Sequence, residues 1–297
     1  MRMRPITTVG VALGLVLSLA ACGSDKKSTA SSNDANSSAS PSASASAVSG
    51  TLERLQNAGK VVIGVKFDQP GIGEKDPATG QLSGFDIEIA KIVAKALGID
   101  ESKIEWKETV SANREPFIKA GTVDLVVASY SITDARRAVV SQAGPYYETG
   151  QQLLVKADNT DITGPDKLTG KKVCSVTGST SIATVQQKYG ANPAPFSTYT
   201  ECVQQLLNGS VDAVTTDGAI LLGYAAKQPD KLKVVGPVFS QERYGIGFAF
   251  GDTQMCEFLH DTLQAAFDDG SWAKAFADTL GKSGQATPTP PALDDHC

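Results

Sequence analysis

The sequence predicts an α/β protein of two related lobes, with polar side chains where its strands end. Strand and helix patterns alternate along the chain, which is typical of βα winding. A weak repeat relates residues 120–128 (AGTVDLVVA) to residues 208–216 (NGSVDAVTT), because both contain Gly-x-Val-Asp before further apolar or polar strand residues. Without its tails, the chain of 297 residues keeps about 230 residues, enough for two modest cores.

The first predicted lobe begins with a strand and a helix. Residues 60–65 (KVVIGV) form an apolar strand, and residues 84–98 place apolar side chains on one helical face that ends at Gly98. Residues 123–129 (VDLVVAS) follow Gly121 and have the pattern of a strand buried on both faces of a parallel sheet.

The second predicted lobe repeats this order of elements. We predict a strand over 172–176, a loop over 177–180, helices over 181–189 and 200–207, a strand over 211–216 and a helix over 218–226. Each strand ends in polar residues. Because open α/β sheets bind ligands at the carboxyl ends of their strands, both lobes are expected to contribute to one site.

The residues after position 128 carry the main signal for that site. Ser129, Ser131 and Arg136 follow the strand, and Thr133 is placed to cap a helix whose first turn holds Arg136. A cation gains nothing from a helix N-terminus, so we expect Arg136 to serve an anion outside the helix. The set fits a carboxylate. The alternative is a capped surface helix with a solvated arginine.

The second lobe offers a small loop and a carboxylate. Gly178, Ser179 and Thr180 lie between a strand and a helix and form an anion cradle, which is too short for a phosphate-binding loop because no Gly-Lys-Ser/Thr follows. Asp217 ends the next strand. It can pair with a cation or cap the helix that follows, and these two roles are compatible.

The N-terminal residues 1–21 have the pattern of an export signal. Arg2 and Arg4 precede an apolar run, which at about a dozen residues is short for a membrane span of about 20. Residues 19–22 (LAAC) resemble the lipobox of bacterial lipoproteins, so we expect acylation of Cys22; the alternative is an ordinary signal peptide with a chance cysteine. Residues 22–50, rich in Ser and Ala, are expected to be a flexible tether.

Charge and residue counts argue against several functions. The net charge of −5 and the pI of 5.2 disfavour a nucleic-acid surface. The two histidines, His260 and His296, fall outside the predicted site, and no Cys-x-x-Cys spacing occurs. We therefore expect no metal, no cofactor and no enzyme that relies on a Cys/His or Ser/His pair.

Taken together, these residues resemble the extracellular solute-binding proteins of polar amino acid uptake, family 3. The resemblance covers residues 51–281 and is greatest to actinobacterial glutamate-binding lipoproteins. It rests on residues 65–71 (VKFDQPG), 111–114 (SANR), 129–136 (SYSITDAR), 216–217 (TD) and 244–247 (YGIG). It implies a two-lobe, type II periplasmic-binding-protein-like fold with the ligand in the cleft between the lobes.

The resemblance also implies roles for the site residues. The ligand's α-carboxylate and α-amino groups would be held by residues at the family's spacing: Ser129, Ser131, Arg136, Ser179, Thr180 and, for the α-ammonium, Asp217. The family's glutamate/aspartate receptors carry a serine and an arginine at the spacings of Ser111 and Arg114, where they hold the side-chain carboxylate.

Two cations therefore predict an acidic ligand. Arg114 would read the ligand's side chain; the alternative is a helix-surface residue paired with Glu115 or Glu108. Lys66 sits just past a strand end where glutamine receptors carry an aspartate, and a cation there suits an acid. Lys66 is also a departure, because other acidic-ligand receptors use an arginine near this point.

The cysteine count predicts two disulfides. If Cys22 is lipidated, four cysteines remain, and the extracytoplasmic side permits disulfides. Cysteines matching Cys174 and Cys202 occur in the resembling actinobacterial proteins, and both fall in the second predicted lobe. We therefore predict that these two pair, and that Cys256 pairs with Cys297 at the end of the tail.

The resulting expectation is a monomeric binding protein without a cofactor. Lobe 1 would comprise residues 51–150 and 245–281, lobe 2 residues 151–244, and the C-terminal tail residues 282–297. The lobes would close on an acidic amino acid, glutamate or aspartate, with glutamine and asparagine as further candidate ligands. The lipid-anchored receptor would deliver its ligand to an ABC permease in the membrane. The alternative with the same residues is an extracytoplasmic sensor that signals to a membrane partner.

Overall fold

The computed structural model describes residues 50–297. The strands are β1 (Val61–Val65), β2 (Asp68–Gln69), β3 (Gly73–Lys75), β4 (Leu82–Ser83), β5 (Ile104–Glu108), β6 (Leu125–Val126), β7 (Ser141–Thr149), β8 (Gln151–Lys156), β9 (Lys172–Val176), β10 (Asn192–Phe196), β11 (Ala213–Asp217), β12 (Leu232–Val235) and β13 (Glu242–Phe248). The α-helices are α1 (Thr51–Ala58), α2 (Phe85–Ala96), α3 (Arg114–Lys119), α4 (Asp134–Arg137), α5 (Thr180–Tyr189), α6 (Tyr199–Leu207), α7 (Gly218–Lys227), α8 (Thr253–Asp268) and α9 (Ser271–Asp278). Short 3₁₀ segments are Glu101–Lys103, Ser111–Asn113, Pro165–Lys167 and Leu280–Ser283.

Two five-stranded sheets form the centres of two lobes. The first lobe has the strand order β5-β1-β6-β13-β7, and the second has β10-β9-β11-β8-β12. Within the first sheet, β1 pairs in parallel with β5 and β6, whereas β13 runs antiparallel to β6 and β7. The second sheet is also mixed, since β8 is antiparallel to β11 and β12. The predicted two-lobe α/β fold is confirmed, but its sheets are mixed and not parallel throughout.

Aromatic residues fill the core of the first lobe. The Phe85 ring, at the start of α2, lies 5.8 Å from Trp272 and 5.7 Å from Phe276 of α9, centroid to centroid. It also lies 5.6 Å from Tyr147 of β7. Edge-to-face contacts at these distances add to the stabilisation that comes from burial alone. They fix α2 and α9 against the strand that leads into the second lobe.

The strand predicted over residues 123–129 is wrong in its extent. Only β6, Leu125–Val126, pairs as a strand, although Val127 donates one more backbone hydrogen bond to Gly64. Ser129 has a φ of 41°, in the left-handed region, so the chain turns there and cannot continue as a strand. The other predicted elements of both lobes are observed with ends shifted by a few residues.

Both disulfides join the predicted cysteines. Cys174 of β9 is bonded to Cys202 of α6, with their Cα atoms 5.5 Å apart. Cys256 of α8 is bonded to Cys297, with a Cα separation of 6.0 Å. The second bond fixes the tail to the first lobe.

The predicted signal peptide, the lipidation site Cys22 and nearly all of the tether lie outside the described residues. Between residues 50 and 297, no helix has both the length and the apolar character needed to cross a bilayer. The bounds predicted for the lobes and the tail stay predictions.

Candidate functional site

A small polar cavity lies between the two lobes. It is lined by Ser111, Arg114, Ser129, Ser131, Arg136, Ser179, Thr180, Ser181, Tyr199, Thr216, Asp217 and Ile220. Eight of the nine predicted ligand-binding residues are among them, and Lys66 is the exception. The structure thus brings the predicted set together, while the role of each residue toward a ligand stays a prediction.

Arg136 extends from α4 to the cavity. The helix begins after Thr133, whose hydroxyl accepts the Arg136 N–H at 3.2 Å, as predicted. The guanidinium donates to the carbonyl oxygens of Ser131 (2.6 Å) and Gly178 (2.9 Å), and its Nε lies 3.3 Å from a Glu115 oxygen. One N–H on each terminal nitrogen then has no partner among residues 50–297. That pair suits a bidentate carboxylate, and at 8% exposure Arg136 is not the solvated residue of the alternative reading.

Arg114, the first residue of α3, is held by backbone carbonyls. Its Nε donates to Ser111 (3.2 Å), and one terminal nitrogen donates to Ala128 (3.2 Å) and Ser129 (2.9 Å). The other terminal nitrogen donates to Gly178 across the cleft (3.0 Å). Four of the five N–H groups are thereby used, which orients the guanidinium firmly at the cavity wall.

Arg114 is buried without a carboxylate partner in the described part of the chain. It is 2% exposed, and Glu115 pairs with Arg136 instead, so the alternative of a surface residue paired with Glu115 or Glu108 is wrong. Both guanidiniums lie over the Tyr130 ring, 4.5 Å and 5.0 Å from its centroid. Burial and the neighbouring Arg136 lower the pKa of Arg114 to about 10. A buried cation without a counter-ion is unfavourable, so the cavity favours an anion.

The buried carboxylate of Asp86, which was not predicted from the sequence, orders the turn at Ser129. Asp86 of α2 accepts the Ser129 N–H and the Tyr146 hydroxyl, both at 2.7 Å. Burial raises the pKa of Asp86 to about 6, and the two hydrogen bonds oppose that rise. Ser129 occupies a left-handed conformation that serine rarely adopts. We therefore infer that Asp86 stabilises the turn that positions the Ser129 side chain.

The loop after β9 brings main-chain and hydroxyl groups from the second lobe. Ser179 caps α5 through the Ile182 N–H (3.4 Å), and the Thr180 hydroxyl donates to Glu242 (3.0 Å). Gly178 has a φ of +83°, and a Cβ on it would lie 2.9 Å from the backbone of Ala112 in the first lobe. Only glycine therefore allows this loop to approach the first lobe so closely.

Asp217 supplies the negative charge of the cavity. It precedes α7 but makes no side-chain cap; one oxygen accepts the Tyr244 hydroxyl, and Oδ1 has no partner within residues 50–297. Burial, and after it the nearby Glu242, raises the pKa of Asp217 to about 7. A buried carboxylate oxygen without a donor fits an ammonium group placed in the cavity.

Lys66 lies behind the cavity wall. It is buried, and its Nζ donates to the Ser111 hydroxyl at 2.8 Å, which in turn lines the cavity. Burial is the main cause that lowers the pKa of Lys66 well below its ordinary value, and the charge of Arg114 lowers it further. Its influence on a ligand would pass through Ser111 and through its charge.

Four lining residues were not predicted from the sequence: Ser181, Tyr199, Thr216 and Ile220. Thr216 precedes Asp217 on the same strand, so the polar strand end was the available signal. Tyr199 begins α6 and is 3% exposed, and an aromatic residue at a helix start gives no signal that separates it from a core residue.

Neither histidine lines the cavity. His260 lies against the second disulfide, with Nε2 3.7 Å from the Cys297 sulfur, and His296 contacts Arg137. Ligand atoms of Cys256, His260 and Cys297 lie within 4.8 Å of one another. The two sulfurs are joined in a disulfide, so they offer no thiolate to a metal.

Two lobes around a cleft that carries two guanidiniums, serine hydroxyls and a buried carboxylate define a binding protein for a small charged molecule. This class closes on its ligand from two sides. The chain belongs to the bacterial extracellular solute-binding proteins, family 3, whose sequence model matches residues 61–282.

Individual proteins extend this similarity over most of the chain. The glutamate-binding protein GluB of Corynebacterium efficiens is 39% identical over 247 residues, which is 80% of this chain and 83% of GluB. The glutamine-binding protein of Geobacillus stearothermophilus is 37% identical over 258 residues, 86% of this chain and 96% of the relative. A solved structure of an ancestral arginine-binding protein bound to glutamine is 36% identical and has a TM-score of 0.71, covering 75% of this chain and 98% of that one.

Proposed function

We propose that this chain is the substrate-binding lipoprotein of an ABC importer and that it binds glutamate or aspartate. The observation that carries the choice of an acidic ligand is the burial of Arg114 in the cavity wall without a carboxylate partner among the described residues. A side-chain carboxylate supplies the missing charge. An amide offers only a neutral acceptor, which is a weaker partner for a buried guanidinium.

The remaining groups match the constant part of an amino acid. Arg136 has one N–H on each terminal nitrogen for the α-carboxylate, and Ser129, Ser131 and the loop at Ser179 surround it. Oδ1 of Asp217 accepts from the α-ammonium. In this arrangement each charge of glutamate meets one opposite charge in the cavity.

Lys66 adds to the preference for an acid. It stands behind Ser111, at the end of the cavity where Arg114 lies, and an anion bound there would favour its charged form. The known proteins similar to this chain include binders of glutamate and of glutamine by name, so the choice between them rests on these residues.

Delivery to a permease and anchoring through a lipid on Cys22 complete the proposal. Both are supported by membership of an extracellular solute-binding family and by the lipobox-like residues 19–22. Replacing Cys22 by Ala should move the protein from the membrane fraction to the medium. Retention of the variant in the membrane would contradict the lipid anchor.

Titration calorimetry with glutamate, aspartate, glutamine and asparagine tests the ligand class, with lysine as the mismatched control. We expect an acid to bind at least about tenfold more tightly than its amide, a difference of about 1.4 kcal/mol. A thermal shift checks the same order, since a ligand at 100 times its Kd adds about 2.7 kcal/mol to stability. Tighter binding of glutamine than of glutamate would refute the acidic specificity.

A further inference from the structure

A carboxylate of the first lobe accepts hydrogen bonds from the start of a helix in the second lobe. Asp68, in β2, accepts the backbone N–H groups of Tyr199 (2.8 Å) and Thr200 (3.3 Å), the first two residues of α6. The hydroxyl of the cap residue Thr198 already accepts the N–H of Glu201 (3.3 Å). Asp68 therefore satisfies two further N–H groups at a helix N-terminus, where a negative charge is also favoured by the helix dipole.

Helix α7 contacts the same segment of the first lobe. The Tyr224 hydroxyl donates to the backbone carbonyl of Asp68 and lies 3.0 Å from the Thr200 hydroxyl. The residue before Tyr224, Gly223, approaches the carbonyl of Pro70 so closely that a Cβ on this glycine would overlap it. Gly223 has no unusual φ. A glycine is therefore needed here because the lobes approach closely, and not because the backbone requires its conformational freedom.

Tyr199 links these contacts to the cavity. Tyr199 donates its N–H to Asp68, and Tyr199 also lines the cavity between the lobes. Asp68 itself does not line the cavity. The position of Tyr199 at the cavity thus depends on a contact with a residue that does not line it.

We infer that residues 68–70, packed on the start of α6 and on α7, form a latch that holds the closed cleft, and that Asp68 is a positioning residue acting through Tyr199. This inference rests on the proposed binding function, whatever the preferred amino acid. In an opened cleft, water would replace the Asp68 contacts. The latch therefore changes the balance between open and closed forms and not the recognition of one side chain.

Replacing Asp68 by Ala should weaken binding about tenfold, as the loss of a helix cap does. The loss should appear in the dissociation rate, because opening precedes release. It should be the same for glutamate and glutamine, the two probes used. Replacing Asp68 by Asn keeps an acceptor for the N–H groups and should recover part of the affinity.

Replacing Gly223 by Ala separates a latch from a purely structural role. Alanine is a better helix former than glycine, so the thermal stability of the protein without ligand should hold or rise. The added Cβ should nevertheless keep Pro70 away and weaken binding of both probes. Lower stability with unchanged affinity would overturn the latch.

Asp76, in the turn between β3 and β4, offers a matched control. Its carboxylate accepts only from Ala78 and Thr79 of its own turn, so Asp76→Ala should leave affinity unchanged. If Asp68→Ala and Gly223→Ala bind the preferred probe within twofold of the unmodified protein, the latch is refuted and the binding function stands. If the unmodified protein binds neither probe, nor aspartate or asparagine, it is the proposed function that fails.

Discussion

Replacing Arg114 by Ala should cost glutamate far more affinity than glutamine. Arg114 is 2% exposed and has no ion pair with the described residues, while Asp217 is the carboxylate that lines the same cavity. With Ala at this position, the side-chain carboxylate of glutamate would be buried without a counter-ion. The side chain of glutamine would lose a neutral hydrogen bond and leave no charge unpaired.

The size of the difference follows from what each ligand leaves unpaired. Removing one partner of a buried charge pair costs about 2 to 5 kcal/mol, which is roughly 30-fold to several thousandfold in Kd. Losing a neutral hydrogen bond costs about 1 kcal/mol, or roughly fivefold. Both ligands share a further loss, because Arg114 also orients the carbonyls of Ser129 and Gly178. The ratio of the two losses is therefore the informative quantity.

Titration calorimetry of both ligands with the unmodified protein, Arg114→Ala and Arg114→Lys gives that ratio. Lysine keeps the positive charge but lacks the planar guanidinium. Glutamate should therefore recover part of its affinity, whereas the hydrogen bonds to the backbone carbonyls should stay lost. Arg54→Ala is a suitable control, because Arg54 pairs at the surface with Asp124 and its side chain is 58% exposed. Equal losses for glutamate and glutamine would show that Arg114 does not read the side chain.

Other perturbations test the rest of the site and the fold. Arg136→Ala should abolish binding of every amino acid, with a loss of about 2 to 5 kcal/mol, because all share the α-carboxylate; affinity within threefold of the unmodified protein in calorimetry would refute its role. Without ligand the pKa of Asp217 is about 7, above its ordinary 3.8, so its ionisation should cost stability as pH rises from about 4 to about 7. Binding of an ammonium needs the ionised form, so affinity measured at pH 6 to 8.5 should level off above about pH 7 and fall below it, up to about tenfold per unit; a flat profile would count against Asp217. Replacing Cys174 and Cys202 by Ser should lower the unfolding free energy by about 3.6 kcal/mol in denaturant titrations, since the bond joins residues 28 positions apart; an unchanged midpoint would contradict this.

Much of the site was readable from the sequence because the family's spacing fixes which residues stand at strand ends. Arg136 and its cap Thr133 follow from local rules, and the structure has both as expected. Gly178 and Asp217 could be placed because each lies where a strand passes into a helix. Such positions converge whenever the strands that carry them share a sheet edge or face each other across a cleft.

Contacts between distant segments could not be read in this way. Asp86 looks like an ordinary acidic residue in the first turn of a helix, yet its carboxylate reaches Ser129, 43 positions further along the chain. The left-handed turn at Ser129 also had no local signal, because glycine is the residue that usually marks such a turn. The partner of Glu115 could not be read for the same reason: sequence proximity made Arg114 an alternative partner, whereas the fold brings Arg136 to it.

The carbonyl oxygen of Gly178 has a consequence for how specificity in this cleft can change. It accepts from both Arg114 and Arg136, and so joins the two guanidiniums of one lobe to the main chain of the other. Side-chain substitutions do not remove a main-chain oxygen. Mutations at Lys66 or Ser111 can therefore alter which side chain is preferred while the junction between the lobes persists, so ligand preference can drift without the loss of closure.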